Sequence, residues 1–251
     1  MTKVFVLGAA DPEMEEIERV VRECGHEVRY ATQRERRVRA DNANYADGVN
    51  EVLPYPREVI FVECRVMGLP LDHVVDHHQP GDPGYGGQAA DYLQSSSLGQ
   101  VLAYLGLEAT PLQRIIAAAD HCPTQAYRGE CPGVLPQELA RWRTQSRAAR
   151  RGCTEEEMEF AILQARGLLE SAELIDFCGR KIAWMDDRQG EISEASARFS
   201  IPFMYQEPMK NGRTKLGIMG AEPEVIASWM KECGLKQVYG DPVRGYAGGY
   251  C

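Results

Sequence analysis

The sequence predicts an α/β fold: a parallel sheet in the first half, a helical connector, and a smaller α+β part at the carboxy end. Three observations predict it. Short apolar runs alternate with helical periodicity from Lys3 onward, the pattern of a βαβ opening. A long helix-periodic stretch follows from Pro136 to about Ile175. After Glu191 the pattern changes again, to strand-like runs around one further helix.

Taken in order, Lys3–Gly8 reads as a buried strand closed by glycine. Asp11-Pro12-Glu13 is a helix start, with Asp as N-cap, Pro at the first helical position and acid in the first turn. Met14, Ile17, Val20, Val21 and Cys24 recur at helical spacing, and Gly25 ends the run. His26–Ala31 reads as a second strand. The turn Gly8–Glu13 lacks G-x-G-x-x-G, and its two carboxylates would repel a pyrophosphate, which argues against a dinucleotide site. Arg34–Arg39 reads as a solvated face or loop. Asp41–Pro56 is rich in turn formers. Val59–Val62 is a further strand, ending in Glu63-Cys64-Arg65, and Leu71–Val75 is the next.

That last strand stops at Asp76-His77-His78, followed by Gln79-Pro80-Gly81-Asp82. The chain has five histidines, and three of them fall between His73 and His78. Ligands of open α/β sheets bind outside the carboxyl ends of the strands. Imidazole and carboxylate together suit Mn, Fe or Zn. The stretch is therefore a candidate metal site. Beyond a Gly/Pro loop at Gly81–Gly87, Ser95-Ser96-Ser97 opens an apolar helix over Leu98–Leu105. Those serines fit an anion site and simple capping equally. Leu112–Ala119 is another helix, and it leads into Asp120-His121-Cys122.

The formal charge of -9 disfavours a broad basic surface for duplex nucleic acid. No apolar run is long enough to span a membrane, and the first residues are too soon interrupted for a signal peptide. Eight cysteines without a C-x-x-C pair give no zinc-ribbon spacing and read mostly as small buried hydrophobes in a reducing cytoplasm.

In the second half, Pro136–Arg151 is basic through Arg141, Arg143, Arg147, Arg150 and Arg151, as a phosphate-binding wall or a solvated linker helix. Thr154-Glu155-Glu156-Glu157 carries a capping-box pattern. Ser200–Tyr205 and Lys215–Gly220 read as strands, and Glu222–Cys233 as a helix capped by Gly234. The tail, Arg244 to Cys251, is glycine-rich. Glycines let a backbone approach a phosphate, and Arg244 can grip one in bidentate fashion. Arg244, Gly248 and Gly249 are thus candidate substrate-binding residues; a loose surface tail is the other reading.

Together these residues resemble the DHH phosphoesterase superfamily, which has four acidic/His motifs at the ends of parallel strands. The resemblance covers roughly the first half of the chain. The first motif is His, three residues, Asp, one residue, Asp; here Asp11 and Glu13 fill the acidic positions and Leu7 the histidine position. Glu63 fills the second motif, Asp76-His77-His78 the third, and Asp120 the fourth. The resemblance implies metal ligands Asp11, Glu13, Glu63, His77 and Asp120, with Asp76 and His78 in catalytic roles and Mn²⁺ as the divalent metal. His121 is either a replacement ligand for the missing histidine or a neighbour turned to solvent. A Gly-Gly-Gly-His substrate loop of the family is matched only by Gly248-Gly249.

The expected architecture is a parallel-sheet metal-binding domain (1–130), a helical connector (131–188) and a small α+β substrate-binding domain (189–251). The expected function is metal-dependent hydrolysis of a phosphate ester, phosphodiester or phosphoanhydride of a small nucleotide-like substrate. The alternative is a catalytically degenerate relative that binds a nucleotide or metal. The expected partner is a small phosphorylated substrate, with a short single-stranded nucleic acid as second candidate and no membrane.

Overall fold

The computed structural model describes residues 2–53, 58–70, 73–188, 190–209 and 212–251. Leu71 and Asp72, the start of one expected strand, and Pro54–Pro56, the end of the expected turn-rich stretch, lie outside them. The protein is α/β, with two compact units: residues 1–85 with 91–120, and residues 86–90 with 121–251. Among the described residues no helix is long and apolar enough to cross a membrane.

The first unit is built on β1 (Val4–Leu7), α1 (Pro12–Glu23), β2 (Glu27–Gln33), β3 (Arg36–Arg37), β4 (Gly48–Val49), β5 (Val59–Val62) and β6 (His73–Val75). Strands β2, β1, β5 and β6 run parallel in that spatial order, while β3 and β4 pair antiparallel with the end of β2. Every residue of β1 and β5 is buried, as expected for parallel strands covered on both faces. Val6 and Phe61 pack with Ala31, Val38 and Val66 on one face. Helix α1 starts and ends where the sequence says: Asp11 caps it, Pro12 opens it, and Met14, Ile17, Val20 and Val21 are buried. Short helix α2 (Tyr92–Ser95), then α3 (Ser97–Leu105) and α4 (Pro111–His121), complete the unit up to Asp120.

Register decides what the sheet presents. Leu7 pairs with Val62, and Val62 with Val75. The residues that follow, Gly8, Glu63 and Asp76, therefore emerge together at one carboxyl edge. Two local features seal that edge. Glu63 has φ +50°, a left-handed conformation that costs a non-glycine residue free energy. Gly8 admits no side chain, since a Cβ there would lie 2.4 Å from the Glu63 carbonyl oxygen.

The second unit contains α5 (Pro123–Tyr127), α6 (Pro136–Arg151), α7 (Glu155–Ser171), β7 (Leu174–Phe177), β8 (Arg180–Met185), α8 (Ile192–Phe199), β9 (Phe203–Pro208), β10 (Thr214–Met219), α9 (Pro223–Glu232), β11 (Gln237–Asp241) and β12 (Tyr246–Tyr250). Its sheet runs β11-β12-β10-β9-β8-β7, antiparallel except between β8 and β9. Neighbouring residues serve opposite faces, as strand periodicity demands. Ala183 and Phe203 pack with Met158, Ile162 and Ile192 from the helices, whereas Ile182 and Met204 pack with Val225, Ile226 and Trp229.

Three expectations change here. The stretch 131–188 is not only helical: Cys178 and Gly179, both at positive φ, close a hairpin of β7 and β8. The glycine-rich tail is not a loop but strand β12, paired on both sides by β10 and β11. The cysteines are not mostly buried: Cys64, Cys122 and Cys131 are, while Cys24, Cys178 and Cys251 are exposed.

Candidate metal centre

The site begins with four side chains from four segments. One ligand atom from each of Glu13, Glu63, His77 and Asp120 lies within 4.8 Å of every other. His77 Nε2 is 3.3 Å from Glu63 Oε1 and 3.1 Å from Asp120 Oδ2. Glu13 rises from the first turn of α1, Glu63 follows β5, His77 follows β6, and Asp120 lies at the end of α4. Glu63, His77 and His78 form a second, overlapping group of the same kind.

The electrostatics of the set are unfavourable without a cation. Glu13 is 2% exposed, and its Oε2 is buried with no hydrogen-bond partner among the described residues. Burial, and then the negative charges of Asp120, Glu63 and Asp11, hold its carboxyl well above the usual carboxylate range. Burial also acts to raise Glu63, but His78 and His77 outweigh it and hold that carboxyl below its ordinary value. Three carboxyl groups converging on an imidazole are a donor set that could hold a metal ion. A positive centre would relieve the repulsion that the buried acids now sustain.

The surrounding groups are arranged to hold this set. Glu13 Oε1 accepts from the Leu98 backbone N–H at 3.0 Å, and Ser96 Oγ accepts from Gly99 N–H at 3.1 Å. The two readings of the serine stretch thus merge: α3 is capped, and the anion at its start is a carboxylate of the chain itself. Asp76 is 1% exposed and accepts from His77 N–H and from His78 Nδ1, the latter at 2.8 Å. Burial raises the Asp76 carboxyl, yet the hydrogen bond and charge of His78 bring it below its ordinary value. Asp82 accepts from the backbone N–H groups of His78 and Gln79, and Arg65 donates to it at 2.5 Å. Neither Asp82 nor Arg65 stood out in the sequence. The signal was present, since an acid a few residues after His78 in a Pro/Gly turn is placed to accept backbone N–H groups.

Other expected site residues fall outside these two groups. Asp11 belongs to neither ligand group; its Oδ1 accepts from Met14 N–H at 2.7 Å as the cap of α1. Leu7, at the histidine position of the first motif, is fully buried in β1. His121 belongs to neither group and is not turned to solvent: its ring Nε2 lies 2.9 Å from the Gly87 carbonyl oxygen within the second unit. Arg244 is 7% exposed and donates through Nε to the His121 carbonyl. Gly248 and Gly249 lie in β12, where a Cβ would meet the Tyr239 hydroxyl at 2.6 Å and Leu235 Cδ1 at 2.7 Å. In the basic helix α6, Arg143 and Arg147 bind the buried Glu194 and Glu191, so these charges serve packing in the second unit.

No protein-family model matches the chain, and no curated protein matches it.

Proposed function

We propose that the chain is a metal-dependent phosphoesterase similar to the DHH superfamily. It hydrolyses a phosphate ester, phosphodiester or phosphoanhydride of a small nucleotide-like substrate in a cytoplasmic setting. In this reading the first unit is the metal-binding domain, and residues 189–251 of the second are the small substrate-binding part. A short single-stranded nucleic acid is the second substrate candidate. The observation that carries the reading is the convergence of Glu13, Glu63, His77 and Asp120 at the carboxyl edge of a parallel sheet.

Those four residues would hold a divalent ion, with Mn²⁺ well suited to a carboxylate-rich set with one imidazole. When bound, such an ion supplies Lewis acidity and a water of lowered pKa. The chain's own residues do the rest. Asp76 accepts a hydrogen bond from His78 Nδ1–H, which selects the tautomer with Nε2 as the basic nitrogen. That nitrogen is then able to take a proton during attack and return it to the leaving oxygen. Asp82, held by Arg65, accepts from the backbone of His78 and Gln79 and fixes the loop that carries both histidines.

A second reading, binding of a nucleotide or metal without turnover, is favoured by one observation. Leu7 offers no ligand at the position where the family has histidine.

The test combines metal content with cleavage of bis(p-nitrophenyl) phosphate in Mn²⁺. Wild type should retain about one metal and cleave the ester, whereas His77→Ala and Asp120→Ala should lose both, since one lost ligand typically weakens a site severely. Wild-type metal content in both variants would sink the site. Metal binding without cleavage of any phosphate ester would favour the second reading.

A further inference from the structure

The arginine run Arg34–Arg39 has no part in the site described so far, and one member differs from the rest. Arg34, Arg36 and Arg39 are exposed, while Arg37, on β3, is half-buried. Its Nε donates at 2.9 Å to the carbonyl oxygen of Gly8, the residue that leaves β1 at the metal-bearing edge. Its guanidinium carbon lies 4.3 Å from the centre of the Tyr30 ring. Tyr30 is itself pinned, because its hydroxyl donates to Glu18 at 2.7 Å. Gly8 in turn abuts the backbone of Glu63. A chain of direct contacts therefore ties Arg37 to the ligand Glu63.

What this arginine lacks is as informative as what it touches. Among the described residues it has no carboxylate partner, although the chain has more acidic than basic residues, 37 against 28. Arg65, which also lies at this edge, is committed to Asn44, Asp82 and Asp76. A half-buried guanidinium, oriented by one hydrogen bond and one ring, with no partner for its two terminal nitrogens among the described residues, suits bidentate recognition of a phosphoryl group. The site also needs such a charge. In the phosphoesterase reading Leu7 offers no ligand at the family's histidine position, so neutralisation of phosphoryl oxygens falls more heavily on a fixed cation of the chain.

We propose that Arg37 is a substrate-binding residue that grips phosphoryl oxygens at the metal-bearing edge of the sheet. The proposal rests on the phosphoesterase reading and is tested apart from it. Calorimetry measures inorganic phosphate binding to the Mn²⁺-loaded full chain, with metal content measured on the same samples. Arg37→Ala and Arg37→Gln should weaken phosphate at least tenfold and leave Mn²⁺ content at the wild-type level. The glutamine variant keeps a donor near the Gly8 carbonyl, and so still reads the lost charge if the alanine variant does not fold. Arg36→Ala, the exposed neighbour, should bind phosphate like wild type. Wild-type phosphate affinity in Arg37→Gln would overturn the role of Arg37 and leave the metal site intact. Wild-type protein that holds Mn²⁺ but binds no phosphate would overturn the clamp as well. Wild-type protein that holds no metal would overturn the phosphoesterase reading, and this inference with it.

Discussion

Gly8 shows how one missing side chain serves both fold and site. Its Cβ position lies 2.4 Å from the carbonyl oxygen of Glu63, a distance that no real Cβ tolerates. Glu63 meanwhile holds φ +50°, so neither backbone has slack to move. Gly8→Ala should destabilise the protein by roughly 2–3 kcal/mol through overpacking. It should also lower metal content, since the displaced residue is one of the four candidate ligands. Urea denaturation and metal analysis of that variant check both effects. A folded Gly8→Ala protein with unchanged stability would show that the approach of β1 to Glu63 is looser than described. Glu13 makes the complementary point. Burial among other acids holds its carboxyl well above the usual range, the mark of a candidate functional group.

Among the elements, α7 is the one whose start is most fully specified by local chemistry. Thr154 Oγ1 accepts from Glu157 N–H at 3.1 Å, and Glu157 Oε2 accepts from Thr154 N–H at 2.8 Å. Both arms of the capping box are made, so Thr154→Ala should cost about 1 kcal/mol, read as a lowered urea midpoint with unchanged slope. The opposite case is β12. Its composition argues for flexibility, yet Gly248 and Gly249 are strand residues because Tyr239 and Leu235 occupy the space their side chains would fill. A strand can be selected by what its neighbours need as much as by its own propensity.

For the molecule as a whole, acid sensitivity should be set in part by the second unit. Glu194 is 1% exposed, paired with Arg143 at 2.5 Å and hydrogen-bonded by the Tyr127 hydroxyl. Burial acts to raise its carboxyl, but Arg143 foremost, then Arg147 and Tyr127, draw it down to about 2 from an ordinary 4.5. A carboxyl depressed on folding contributes stability that is complete above its unfolded value and is lost as pH falls through the folded one. Stability should therefore fall between pH 4.5 and about 2. Glu194→Gln should be less stable at neutral pH, because it leaves Arg143 without its carboxylate, and should lose less on acidification over that window. Parallel pH dependence of wild type and variant would assign the acid transition to other groups.

The sequence alone determined the punctuation of the chain. Apolar runs ending in Gly8, Glu63 and Asp76, the Asp11-Pro12 helix start and the Thr154 capping box are all short-range features, decided by residues within a few positions of one another. That sufficed to place Glu13, Glu63, His77 and Asp120 at element ends in chain order. Only the tertiary structure decided which of these side chains meet, and which expected partners do not. Asp11 caps its own helix, His121 lies against the Gly87 carbonyl, and Arg244 donates to the His121 carbonyl. The contacts that distinguish them are long-range: Glu13 reaches Leu98 across 85 positions, and Arg37 reaches Gly8 across 29. Local periodicity carries no term for such pairs. They follow from strand register, which a pattern of buried and exposed positions leaves open until the sheet is assembled and its strands are packed.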